Sequence, residues 1–130
     1  MIQETEGGEK KSIFNSNPTF LTVKNYHKLV EESNDYWIIC VFEKTRTNGF
    51  NKHVADVFDE VHSKYKSLVR FGVIDVTNDD NLLHFLPYKF QYFPNIFTYL
   101  HGEESELFGN FDNFSVKCKI FFNNLIIFIF

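Results

Sequence analysis

The chain has 130 residues, 44% hydrophobic and 23% charged, which suits one soluble globular domain and leaves little room for a second. Thirteen Lys and Arg against 17 Asp and Glu give a net charge of −4, a poor balance for gripping phosphates, so no nucleic-acid partner is expected. Aromatic content is 18%, with 17 Phe, enough apolar bulk for a core that needs neither disulfides nor metal to hold it.

Residues 1–15 read as a disordered polar tail, with Glu4, Glu6 and Glu9 around Gly7-Gly8 and no apolar stretch of the kind a secretory signal needs. Residues 16–130 read as the folded domain. Pro18 to Leu21 predicts a short strand. Thr22 can cap a helix from Val23 to about Ser33, where Tyr26, Leu29 and Val30 fall at i, i+3, i+4. Trp37-Ile38-Ile39-Cys40-Val41-Phe42 is a continuous apolar run, which predicts a strand buried on both faces. After the polar loop Glu43 to Thr47, Asn48 to Lys66 carries a helical period through Phe50, Val54, Val57, Phe58, Val61 and Tyr65.

Leu68 to Val76 reads as a second central strand. Asp79 or Asp80 caps a short helix over Leu82, Leu83, Phe85 and Leu86, which Pro87 stops. Pro94 to Leu100 and Glu106 to Gly109 read as a hairpin turning at His101 to Glu104. A last helix runs from Phe114 through Cys118 to Leu125. The order β-α-β-α-β-α-β-β-α predicts an α/β fold: a mixed sheet, parallel at its centre, with helices on both faces. Leu125 to Phe130 is wholly apolar but far too short to span a bilayer, which takes about 20 residues. No membrane span is expected, and the apolar end is a candidate for self-association or for continuation into a longer segment.

Cys40 and Cys118 lie far apart, so neither a CxxC pair nor a zinc or disulfide pattern can be drawn from them. Cys40 reads as a small buried hydrophobe, and Cys118 as the same or as a surface thiol. A bridge between them would have to cross from strand to helix with strict Cα spacing. His27, His53, His62, His84 and His101 show no ligand spacing and read as solvated surface residues. Asp75 to Asn81 resembles a calcium loop only superficially: Asp80 stands where the sharp-turn Gly belongs and Leu86 where the bidentate Glu belongs. No phosphate loop and no nucleophile elbow are present, and no metal or cofactor is expected. Asn113-Phe114-Ser115 is a glycosylation triplet, whereas Asn17-Pro18-Thr19 is blocked by its proline.

Particular residues in this order resemble the thioredoxin fold, nearest to the domains of protein disulfide isomerases. Leu21-Thr22-Val23-Lys24-Asn25-Tyr26 is similar to that family's opening Leu-Thr-x-x-Asn-Phe, and Val73-Ile74-Asp75-Val76-Thr77 to its Val-Asp-Val/Cys-Thr strand. Tyr88 to Ile96 fits Tyr-x-Val-x-x-Tyr-Pro-Thr-Ile and is followed by an apolar strand, Gly102, and Phe108-Gly109. The resemblance covers about residues 18 to 122. It departs at the active site. Where the family has Trp-Cys-Gly-x-Cys-Lys, this chain has Thr47-Asn48-Gly49-Phe50-Asn51-Lys52, with asparagine at both cysteine positions. Cys40 takes the place of the buried acid that shuttles protons, and Asp56 that of the helix-kinking proline.

Thiol–disulfide exchange needs a thiolate at a helix N-terminus and a second thiol to release the mixed disulfide. Asparagine supplies neither, although Asn48 makes a good N-cap and Asn48-Gly49 an equally good turn. The resemblance further implies that Pro94 follows a cis bond and that Phe93 presents main-chain groups to an extended client peptide, with Thr47 and Asn48 beside it; alternatively, the proline only shapes the turn. The function expected is a redox-inactive module binding unfolded or partner polypeptide. Such modules occur in multidomain disulfide isomerases and beside J domains in chaperone proteins. The alternatives are an interaction domain with an unused groove and, third, an enzyme using a lone cysteine. The compartment implied is the endoplasmic reticulum lumen or another secretory space, with the cytoplasm as the alternative.

Overall fold

A computed structural model of the chain describes residues 14–43, 49–77, 84, 86 and 93–101, with residues 49–51 and 53 described by their backbone alone. In chain order the elements are β1 (Thr19–Phe20), a π-helical turn (His27–Glu31), β2 (Trp37–Phe42), α1 (Gly49–Tyr65), β3 (Arg70–Asp75) and β4 (Asn95–Tyr99). The strands form one sheet in the order β1-β3-β2-β4. β3 runs parallel to both β1 and β2, and β4 runs antiparallel to β2. This is the mixed sheet that the strand order predicts. Of the short helix over 79–86 only residues 84 and 86 are described, and the second hairpin strand, the last helix and the apolar end lie outside the described residues.

All six residues of β2 are buried, as a continuous apolar run demands. Because side chains alternate across a strand, the run feeds two cores. Ile38, Cys40 and Phe42 point to one face, with Phe71 and Val73 of β3 and Ile96 of β4. There they meet Val54, Ala55, Phe58 and Val61 of α1. Trp37, Ile39 and Val41 point to the other face, with Ile74 and Phe97, and pack with Leu21, Tyr26 and Val30. The sheet therefore carries α1 on one side and the π-helical turn on the other.

The first helix departs from the regular helix expected over Val23 to Ser33. The helical element starts at His27 rather than Val23, after a turn at residues 23–25 in which Thr22 Oγ1 accepts the Lys24 amide at 3.2 Å and Asn25 Oδ1 accepts the Thr22 amide at 2.7 Å. These two bonds close the turn that precedes the helical element. Beyond it the Glu32 amide bonds His27 O at 2.9 Å, five residues back, so one π-helical turn replaces the expected α-helical end. The Asn25 amide group also donates to Phe20 O at 3.1 Å, covering a carbonyl on the β1 edge.

The packed structure begins before the composition suggests. Phe14 is 5% exposed and meets Phe42 and Phe58 edge-on, with ring centroids 5.3 Å from each. Phe14 and Asn15, assigned by composition to the tail, thus pack with the domain.

Gly72, at the centre of β3, lies between Thr19 of β1 and Ile39 of β2. A Cβ there would stand 2.6 Å from Leu21 Cδ1 and 3.2 Å from Trp37 Cζ3, and both side chains are themselves buried and packed. Gly72→Val should therefore lower stability by about 1–3 kcal/mol through overpacking. Urea unfolding checks this, with the midpoint falling and the slope unchanged.

Candidate functional site

β2 and β3 are parallel and joined through α1, so α1 begins at the end of the sheet where β2 finishes. β4 is antiparallel to β2, with Asn95 opposite Val41, so the turn before β4 lies at that same end. The topology thus brings the first turn of α1 and the Phe93–Pro94 turn to one edge of the domain. The Phe93–Pro94 bond is cis. Pro94 is buried, and Phe93 is half-buried against the cluster around Trp37 and Phe97. The next residue, Asn95, is 4% exposed, and its Oδ1 accepts the Ile96 amide at 2.9 Å.

Gly49, Phe50 and Asn51 form the first turn of α1, while Thr47 and Asn48 fall outside the described residues. Lys52 pairs with Asp56 at 2.8 Å on the exposed face of the helix. That neighbouring carboxylate raises the Lys52 pKa. No cysteine occurs anywhere between Cys40 and Cys118, so this helix start carries no thiol.

Cys40 is fully buried in β2, opposite Val73 and Ile96, and is a free thiol. Burial pushes its pKa well above the ordinary thiol range, because a thiolate there would lose its hydration. Such a group is a packing residue with almost no nucleophilic form. Cys118 lies outside the described residues. Among the described residues, no group of three His, Cys, Asp or Glu could hold a metal ion, and no helix is long and apolar enough to cross a membrane.

The histidines divide. His27, His84 and His101 are exposed, as expected. His27 lies between Glu31 and Glu32, at 2.9 and 3.0 Å, and its hydrogen bond to Glu31 raises its pKa. His101 Nδ1 meets Glu31 O at 3.0 Å. His62 is not a surface residue: it is 9% exposed and lies on the Phe71 ring at 4.8 Å. Its Nδ1 is 2.7 Å from Ser16 Oγ, and Ser16 Oγ in turn donates to Asp59 Oδ1. Position 62 follows Phe58 by four residues on the buried stripe of α1, and that spacing is the sequence signal for its burial. The arrangement is not a catalytic triad, because the carboxylate holds the serine rather than orienting the imidazole. On the opposite face, the Tyr26 hydroxyl is buried without a hydrogen-bond partner among the described residues, and desolvation raises its pKa.

The sheet order, the cis Phe93–Pro94 bond before β4 and α1 rising from the end of β2 together define a thioredoxin-like domain. No known family profile and no curated protein matches the chain. Solved structures do match. The crystal structure of ERdj5 form II is similar with a TM-score of 0.71 and 15% identity, covering 85% of this chain and 15% of that one. Full-length ERdj5 gives a TM-score of 0.70 at 15% identity over 83% of this chain and 16% of that one. The isolated Trx4 domain of ERdj5 gives 0.66 at 15% identity, covering 82% of this chain and 94% of that domain. The chain spans one thioredoxin domain of those longer proteins.

In a Cys118→Ser chain, Cys40 should react with a thiol-specific dye only as fast as the domain unfolds. Labelling at the rate of an exposed thiol would contradict its burial.

Proposed function

We propose that this chain is a redox-inactive thioredoxin-like module that holds an extended polypeptide at the Phe93–Pro94 turn, in a protein-folding role within a longer disulfide isomerase-like or J-domain protein. The observation that carries the reading is the convergence of the Phe93–Pro94 turn and the start of α1 at one end of the sheet. An extended peptide laid there takes its affinity from main-chain hydrogen bonds and is chosen only loosely by its side chains. Thr47 and Asn48, which lead into α1, would form the other wall.

The redox-inactive part rests on asparagine at positions 48 and 51 and on the inaccessibility of Cys40. Without a thiolate at the helix start, no mixed disulfide with a client can form there. The compartment proposed is the endoplasmic reticulum lumen, which the names of the ERdj5 neighbours favour.

Two measurements test this. Dithiothreitol-coupled insulin reduction should equal the buffer blank, and clear turnover would overturn the redox-inactive reading. Titrating an unstructured peptide into 15N-labelled chain should shift the resonances of Phe93, Asn95 and Asn51 before those of Glu60 or Lys64 on the exposed side of α1. Shifts absent from the first group, or spread evenly over both, would favour an interaction domain whose groove is unused.

A further inference from the structure

His27 carries an imidazole with an acid against each nitrogen. Nδ1 stands 2.9 Å from Glu31 Oε1, and Nε2 stands 3.0 Å from Glu32 Oε2. A neutral ring has one donor nitrogen and one acceptor nitrogen, whereas an ionised carboxylate only accepts. Both contacts are therefore hydrogen bonds only when the ring carries two protons. In the neutral ring one nitrogen lone pair would face a carboxylate oxygen, and that contact would be lost. The titration of His27 agrees in direction: its bond to Glu31, with the charge of Glu32 added, holds it above the ordinary histidine value.

The two contacts differ in what they ask of the backbone. Residues four apart are neighbours on an α-helix, so the Glu31 contact suits a regular turn as well as a wide one. Residues five apart lie about 140° apart around an α-helix, too far round for these side chains to meet. The Glu32 contact needs the π-helical turn, which brings a residue next to the one five ahead. The same pair is joined through the main chain, since the Glu32 amide donates to His27 O at 2.9 Å. The Leu29 amide, by contrast, donates to Asn25 O, four residues back, at 2.9 Å, so the wide register is a local choice of the last turn.

We propose that His27, Glu31 and Glu32 form a proton-dependent clamp that favours the wide register, and that loss of the His27 proton shifts the Glu32 amide toward the carbonyl of Lys28, four residues back. The clamp is at full strength below the ordinary histidine value of about 6.5 and is lost as pH rises through the raised value of the folded state. Among the other groups about the turn, Lys28 lies on it, and burial holds Tyr26 and Tyr99 above the ordinary tyrosine value. His101, after β4, meets Glu31 O through Nδ1 at 3.0 Å, a bond that Nδ1–H makes whether or not Nε2 is protonated. Val30, which the turn carries into the cluster of Trp37 and Ile39, links this surface group to the packing beneath it.

Scalar couplings across hydrogen bonds read which carbonyl the Glu32 amide uses, and can be measured in the isotope-labelled 130-residue chain. At about pH 5.5, where carboxylates are still ionised, and at low salt, the coupling should run to the His27 carbonyl. By about pH 8.5 it should move toward Lys28, the ratio of the two registers changing roughly 1.5- to 5-fold, the scale of an exposed ion pair. The change should follow the titration of the His27 ring nitrogens, and ~1 M salt should weaken it. In Glu32→Ala, at an exposed position, the ratio should no longer depend on pH. A ratio that ignores pH in the unaltered chain, or an equal change in Glu32→Ala, overturns the proposal. So does a His27 ring that is mostly neutral at about pH 5.5. Should Glu32→Ala not fold, His27→Gln replaces it, and a pH-dependent ratio there overturns the clamp.

Discussion

β2 has no face turned to water, and the rest of the domain is arranged to keep it so. Each large apolar side chain taken fully out of water is worth roughly 1.5–3 kcal/mol, and this strand buries six residues in succession, five of them large. Both of its edges must also be hydrogen-bonded, which the parallel β3 and the antiparallel β4 accomplish. A parallel neighbour requires a crossover, and α1 supplies it while covering one face. An antiparallel neighbour brings the turn before β4 back to the point where β2 ends. The position of the candidate site is thus a by-product of burying one strand. Cys40, at the centre of that strand, adds bulk without a charge to desolvate, which suits a core position.

Much of this was legible in the residues because the deciding patterns are local. The apolar run at 37–42, the helical spacing after Asn48 and the strand-like run from Leu68 to Val76 each depend on neighbours within a few positions. What stayed hidden depends on partners far along the chain. Ser16 and His62 are 46 residues apart and Ser16 and Asp59 are 43 apart, and no periodicity of either segment announces that pairing. Phe14 escaped for the same reason: a single aromatic after a polar stretch looks like tail until the slot between Phe42 and Phe58 exists. The π-helical turn is a subtler miss. Its residues suit a helix, and nothing in their spacing distinguishes the carbonyl five residues back, which the Glu32 amide reaches, from the one four back.

The candidate site was legible in a different way. Phe93 and Pro94 emerge from a motif in the sequence, and the fold places them beside the strand end that leads to α1. The fold tolerates 15% identity with the ERdj5 domains because it asks only for apolar residues at the right period. A thiol site makes stricter demands, for two particular atoms at a helix start, and the asparagines cannot meet them. The proposed peptide surface makes neither demand, because it would work through main-chain groups.

The chain has a single tryptophan, and it is wholly buried. Trp37 donates from Nε1 to Ser33 Oγ at 3.2 Å, and the Arg70 guanidinium lies 4.7 Å from its ring. Its packing partners belong to the cluster around the π-helical turn, whereas Phe14, Phe58 and His62 sit on the α1 side. The domain's tryptophan emission is thus one-sided: it comes from one core, and events confined to the other core leave that light largely unchanged. Tryptophan fluorescence can follow loss of the sheet, but repacking confined to Phe14, Phe58 and their neighbours will pass largely unseen by it.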